Sequence, residues 1–142
     1  MITEDNKYLN LFENIAKENN INFEYYFKSN VGRAILKERK ILISKPINRN
    51  RLFIALHEIG HIIIGDIKPR YKEEYLAEQY AISKMREIKI PISKKARDRS
   101  KRFIAYSIQK AIHRGLKKID SKTKGYIKTK YPNTAKGKIR FI

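Results

Sequence analysis

An α+β domain is the fold class the sequence predicts. Apolar residues recur at helical spacing in four stretches, near 3–19, 50–64, 72–88 and 94–119. Between the first two lie three short β-like runs, and turn-forming Asn, Gly and Pro punctuate the joins. A chain of 142 residues has single-domain length and can bury a core without disulfide or metal staples.

The first helix is expected over 3–19, with Thr3 as its N-cap. Tyr8, Leu9, Phe12, Ile15 and Ala16 share one face, and Asn19 and Asn20 end it. Residues 21–27 alternate as a strand. Ala34 to Leu36 and Ile41 to Ile43 read as two more, with Lys37 to Lys40 as their turn and Pro46 as the stop. The expected sheet is small and antiparallel. Asn48 or Asn50 caps the next helix, 50–64. That helix is apolar nearly all round and so belongs inside the core, with Gly65 at its C-terminal end.

The 72–88 helix turns Leu76, Ala77, Tyr80, Ala81 and Met85 inward, and Pro91 breaks it. Ser93 caps a further helical region, either one helix over 94–119 or two joined near Tyr106. Ile104, Ile108, Ala111, Ile112, Leu116 and Ile119 keep helical spacing there. In the tail, 126–131 and 138–142 alternate on either side of Pro132 to Gly137, which predicts a terminal β-hairpin. Residues 1–91 form the expected core. Residues 92–142 form a basic helical extension and tail, packed on that core rather than making a second domain.

Composition removes several classes. With 42% hydrophobic and 33% charged residues, the chain fits neither a disordered nor a membrane-embedded protein. Cysteine is absent, which excludes disulfides, Cys-ligated zinc and thiol nucleophiles. The first twenty residues mix charges and lack the apolar stretch of a signal peptide, and no apolar run is long enough to span a bilayer. A cytoplasmic protein without a membrane partner is the expectation. The charge is +19 and unevenly placed. Residues 1–81 hold 13 Lys/Arg against 11 Asp/Glu, while 82–142 hold 20 against 3. Such an excess points to an anionic partner for the C-terminal region.

Two of the three histidines stand four apart in His57-Glu58-Ile59-Gly60-His61. On a helix, positions i and i+4 share a face, so both imidazoles can reach one ion. Zinc suits neutral imidazole, and Glu58 beside the first ligand can take a proton from a water at the metal. A solvated helix end is the plain alternative. It fits poorly with a helix otherwise so apolar, because buried charges need partners or a metal. A catalytic zinc usually has three protein ligands. Glu74 is the choice for the third, with Glu78 or His113 as alternatives. Residues 74, 77, 78 and 81 share a helical face, and Ala77 and Ala81 are small enough to let two helices approach. Glu78, if not a ligand, can accept the free N–H of a ligating histidine. Clustered acids at a helix start also favour the helix dipole without any metal.

These residues together resemble the ImmA/IrrE family of zinc metallopeptidases. The Ile-Leu-Ile strand at 41–43, the run Arg51-Leu52-Phe53-Ile54-Ala55-Leu56 and then His57-Glu58-Ile59-Gly60-His61 follow the family's order. Glu74-x-x-Ala77-Glu78-x-Tyr80-Ala81 is similar to its second segment, and to a related arrangement in thermolysin-like enzymes. This chain has Glu78 where the family commonly has Asn or Asp. The resemblance covers roughly residues 20–91. It implies a zincin-like metallopeptidase domain with one Zn2+ per chain, held by His57, His61 and Glu74. Glu58 would be the catalytic residue and Glu78 the acid that supports a ligand histidine. It further implies an endopeptidase acting on a protein substrate, such as a DNA-bound helix-turn-helix repressor, in a phage or mobile-element setting. Tyr71, Tyr75, Tyr106 and His113 are candidates for stabilising an oxyanion.

The basic region carries Lys94, Lys95, Arg97, Arg99, Lys101 and Arg102, then Lys110, Arg114, Lys117 and Lys118. Basic groups near aromatics can bind phosphates and stack bases, which makes nucleic acid or another polyanion the expected partner of 92–142. A solvated lysine-rich surface is the plain alternative. The rival function is a nucleic-acid-binding or virion-associated structural protein on a peptidase-like fold, its zinc non-catalytic. A SprT-like protease is a third reading and would need His113 as the third ligand.

Overall fold

The computed structural model describes residues 4–126 and the short segments 133–134, 137–138 and 140–141; for Glu4, Asp5 and these tail segments it describes the backbone alone. The chain folds as an α+β domain, mostly helical, with one three-stranded mixed sheet. Helix α1 (Glu4–Glu18) leads into β1 (Asn22–Phe27), β2 (Gly32–Ile35) and β3 (Lys40–Ser44). The expected cap Thr3 lies outside the described residues. Leu36 leaves the expected strand for a 3-10 turn, Leu36–Glu38, which Arg39 closes in the left-handed region at φ 45°.

The sheet is mixed, not antiparallel as its sequence suggests. Its order is β1-β3-β2, with β1 parallel and β2 antiparallel to β3. The reason lies in burial. Ile41 and Ile43 are almost wholly buried, so β3 takes the centre, where it is paired on both edges. β1 carries Asn22, Glu24 and Tyr26 to solvent and takes one edge. β2 and β3 form a hairpin, and β1 runs in the same direction as β3 beside it.

Helix α2 (Arg49–Ile64) runs through the middle of the core. Asn48 caps it by accepting from the Arg51 N–H at 2.9 Å, and Gly65 ends it at φ 84°. Helix α3 (Arg70–Glu87) packs along α2. Phe12, Ile15, Ile41, Ile43, Leu52, Leu56, Ile59, Ala81 and Met85 are among the residues of the main core. Leu76, expected inward, is exposed, because α3 turns Ala77, Glu78, Ala81 and Met85 toward α2 instead.

Helix α4 (Lys94–His113) is one continuous helix, capped by Ser93 through the Ala96 N–H at 3.1 Å. It ends before Leu116 and Ile119, so the apolar spacing there does not continue a helix. Gly115, at φ 106°, turns the chain into β4 (Lys118–Ile119). Ile104, Ile108 and Ile112 join Tyr71 and Ile119 in a second apolar cluster that ties α4 to α3. A 3-10 segment, Ser121–Tyr126, follows. The expected hairpin falls largely outside the described residues. Where the tail is described, β5 (Asn133–Thr134) pairs with β6 (Gly137–Lys138), and β7 (Arg140–Phe141) runs parallel to β4. Arg140 and Phe141 pair with Lys118 and Ile119. Among the described residues no helix is long and apolar enough to cross a membrane.

Candidate metal centre

The site forms where α2 and α3 touch. Gly60 is the reason they come so close. A Cβ at residue 60 would lie 2.9 Å from the Ala77 carbonyl oxygen and 3.0 Å from its Cα. With no side chain at 60 and only a methyl at 77, the helix backbones meet. The first turn of α3 then stands over the His57–His61 face of α2.

Three donor atoms converge there. His57 Nε2 lies 3.0 Å from Glu74 Oε2, His61 Nε2 lies 3.3 Å from the same oxygen, and the two Nε2 atoms are 3.2 Å apart. A tetrahedral zinc about 2.0 Å from each donor sets its donors about 3.3 Å apart. Among the described residues this is the group of His and carboxylate side chains able to share one ion. His113 is exposed at the end of α4 and takes no part in it.

The donors are held from behind. His61 Nδ1 lies 2.7 Å from Glu73 Oε2, and Glu73 is almost wholly buried. A carboxylate oxygen accepts, so His61 Nδ1–H donates to Glu73, and Nε2 is the ring atom that faces the centre. Arg70 binds both acids, Nη1 to Glu73 Oε2 at 2.9 Å and Nη2 to Glu74 Oε1 at 3.1 Å. Glu74 therefore keeps Oε2 for the site. The Ile67 N–H reaches Glu73 Oε1 at 3.4 Å.

Glu78 does not take the supporting role expected of it. It is buried, but its carboxylate accepts from the Tyr126 hydroxyl at 3.0 Å. The Tyr126 ring also meets Tyr75 edge-on at 5.9 Å. The 3-10 segment after β4 thus claims Glu78, and the acid beside His61 is Glu73. The only sequence signal for this was adjacency, since Glu73 and Glu74 both precede Ala77 within one turn.

Glu58 lies beside the donors, buried against the edge of the sheet. A Cβ at Gly32 would stand 2.7 Å from Glu58 Cγ and 3.0 Å from Oε2, so the missing side chain on β2 is what makes room. Burial raises the Glu58 carboxyl above its ordinary range, and His57 and His61 only partly offset it. Burial would raise Glu74 too, but hydrogen bonds from His57 and His61 outweigh it and hold that carboxyl well below the usual range. For His61, burial opposes a proton, but Glu74, Glu58 and Glu73 together keep its pKa above the ordinary imidazole value.

These groups form the floor of a cleft of about 520 Å³. One wall is the edge strand β2, with Gly32, Arg33 and Ala34. The other is the start of α4, with Lys95, Ala96, Arg99, Ser100 and Phe103. Burial and Arg102 lower the Arg99 guanidinium while Glu58 raises it, which puts Arg99 within electrostatic reach of Glu58. Of the basic residues expected to face a polyanion, only Lys95 and Arg99 line this cleft. Lys94, Arg97, Lys101, Arg102, Lys110, Arg114, Lys117 and Lys118 are exposed elsewhere on α4 and beyond it. None of Tyr71, Tyr75, Tyr106 and His113 lines the cleft. The Tyr71 hydroxyl instead accepts from the Asp120 N–H at 2.9 Å. No protein-family model matches the chain, and neither a curated protein nor a solved structure is significantly similar to it.

Proposed function

We propose that the chain is a zinc-dependent endopeptidase. The observation that carries this reading is the convergence of His57 Nε2, His61 Nε2 and Glu74 Oε2 with the mutual spacing of a tetrahedral zinc face. His57, His61 and Glu74 would hold the ion, and two imidazoles with one carboxylate are the ligand set of a catalytic rather than a structural zinc. When bound, zinc supplies Lewis acidity toward a carbonyl and a water.

The chain's own residues supply the rest. Glu58 takes a proton from the attacking water and returns it to the departing amine. Gly32 leaves the space in which that carboxylate sits. Glu73 fixes the His61 tautomer, and Arg70 holds Glu74 by its other oxygen. Among the described residues β2 is hydrogen-bonded on one side only, so its other edge at the cleft can align an extended peptide backbone. The resemblance to ImmA/IrrE peptidases supports the same reading and suggests a DNA-bound regulator, such as a helix-turn-helix repressor, as substrate.

Zinc analysis of the purified chain with His61→Ala and Glu74→Ala tests it. About one zinc per wild-type chain is expected, with both variants depleted. Zinc-loaded wild type should cleave members of a peptide library, and Glu58→Gln should bind zinc yet cleave nothing. A wild type that takes up no zinc would end the proposal.

A further inference from the structure

We propose that the face of α4 bordering the cleft is a docking track for an acidic peptide segment, with Lys95 and Arg99 receiving its carboxylates. The proposal rests on the peptidase reading for the identity of its occupant.

The track starts inside the cleft and runs out along the helix. Lys95, Arg99, Phe103, Tyr106 and Lys110 follow at three- or four-residue intervals and so share one face of α4. The buried face, Ile104, Ile108 and Ile112, points the other way. Phe103 and Tyr106 are more than half exposed, at 53% and 57%. Each carries a cation: Arg99 lies 5.5 Å from the centroid of Phe103, and Lys110 lies 4.8 Å from that of Tyr106. The pairs hold their cations over the rings, which reduces the ordering that a bound carboxylate would otherwise require.

Charge decides the class of occupant. Two of the cleft's acids are committed, Glu73 to His61 and Arg70 and Glu74 to the two histidines and Arg70, while Glu58 lies within electrostatic reach of Arg99 without an ion pair. Arg33, Lys95 and Arg99 form no ion pair among the described residues. A cleft with three unpaired cations on its walls favours an anionic ligand. Two features favour a peptide over a nucleic acid. One face of each exposed ring is already covered by a cation, so the rings are supports more than stacking platforms. The wall opposite is, among the described residues, an unpaired strand edge, whose alternating N–H and C=O groups match an extended peptide backbone, whereas a sugar–phosphate chain would use its N–H groups alone.

The test is fluorescence anisotropy with the full chain carrying Glu58→Gln, so that binding is read without turnover. The probes are a labelled peptide rich in Asp and Glu, its Ser-substituted counterpart and a single-stranded oligonucleotide of the same charge, at about 0.15 M ionic strength. The acidic peptide is expected to bind about tenfold more tightly than the Ser peptide, the size two partly exposed charge pairs supply. Lys95→Glu with Arg99→Glu should abolish that preference, and Lys95→Gln with Arg99→Gln should weaken it. Lys117→Glu with Lys118→Glu makes the same change in net charge off the track and should leave the preference intact. Equal loss in both Glu pairs would overturn the proposal, because net charge alone would then explain binding. Tighter binding of the oligonucleotide, dependent on Lys95 and Arg99, would overturn it in favour of phosphate. The peptidase reading fails separately. A chain that binds no zinc but keeps the Arg99-dependent preference supports the track, whereas cleavage without acidic preference rejects it.

Discussion

Gly60 and Ala77 meet backbone to backbone, and a Cβ at residue 60 would stand 2.9 Å from the Ala77 carbonyl oxygen. Gly60→Ala gains about 1 kcal/mol of helix propensity. Pushing α3 off a close backbone contact costs about 1–3 kcal/mol. The second term should win, because backbone cannot rotate away as a side chain can. The expected outcome is a modest loss in denaturant unfolding for Gly60→Ala, a larger one for Gly60→Val, and weaker zinc binding in both as Glu74 moves from the histidines. A Gly60→Val chain as stable as wild type would show that the helices can separate freely.

Glu73 and Glu78 are two buried acids on one helix with different partners, His61 and Tyr126. Glu73→Gln removes the carboxylate behind His61 and, on the proposed function, should weaken zinc binding about 10- to 100-fold. Glu78→Gln should leave zinc affinity within experimental error. Tyr126→Phe leaves Glu78 without that donor and should cost about 1–3 kcal/mol of stability with no change in zinc affinity. Competition with a chromophoric chelator reads the affinities, and the reverse ranking of the two acids would refute this division of roles.

Gly32→Ala places a methyl 2.7 Å from Glu58 Cγ, closer than the two carbons can stand. Neither residue touches the three donors through this contact, so zinc content should stay near wild type while peptide hydrolysis falls by about tenfold or more. Loss of zinc together with activity would mean that β2 supports the ligands as well as the base.

The metal-free and zinc-bound forms should respond oppositely to pH. In the metal-free protein the neighbouring carboxylates keep His61 above the ordinary imidazole pKa. Its contribution to folding is then present below about pH 6.5 and lost as pH rises through the folded value. Glu58, raised by burial, acts in the same sense. Glu74 is held low, so its contribution is present above about pH 4.3 and lost on further acidification. The chelated protein should therefore have its highest Tm in mild acid. Zinc must displace the His61 proton, so zinc affinity should keep climbing above about pH 6.5. A chelated protein whose Tm rises steadily through neutrality would contradict this account.

Much of the site is visible in the linear chain because its physics is local. His57 and His61 face one way because they are four apart on a helix. Asn48, Gly65 and Ser93 end or start helices through hydrogen bonds and backbone angles that span a few residues. Glu74 meets the histidines in the structure as its helical position suggested. The expected antiparallel sheet failed for the opposite reason. Strand order depends on which strand buries most, and β3 wins the central place from residues distant in sequence.

What the sequence alone determined is that His57 and His61 share one helix face, that Glu74 can meet them, and which small residues let a second helix approach. Which acid stands behind His61, which cations face the cleft and where Tyr126 lands were decided only by tertiary structure. A helix shows several neighbouring residues on one arc. The crossing of α2 and α3, set by the Gly60–Ala77 contact, selects Glu73 from that arc for the histidine. The docking of the segment after β4 takes Glu78 for itself. Periodicity reports a face, and only packing reports what that face meets.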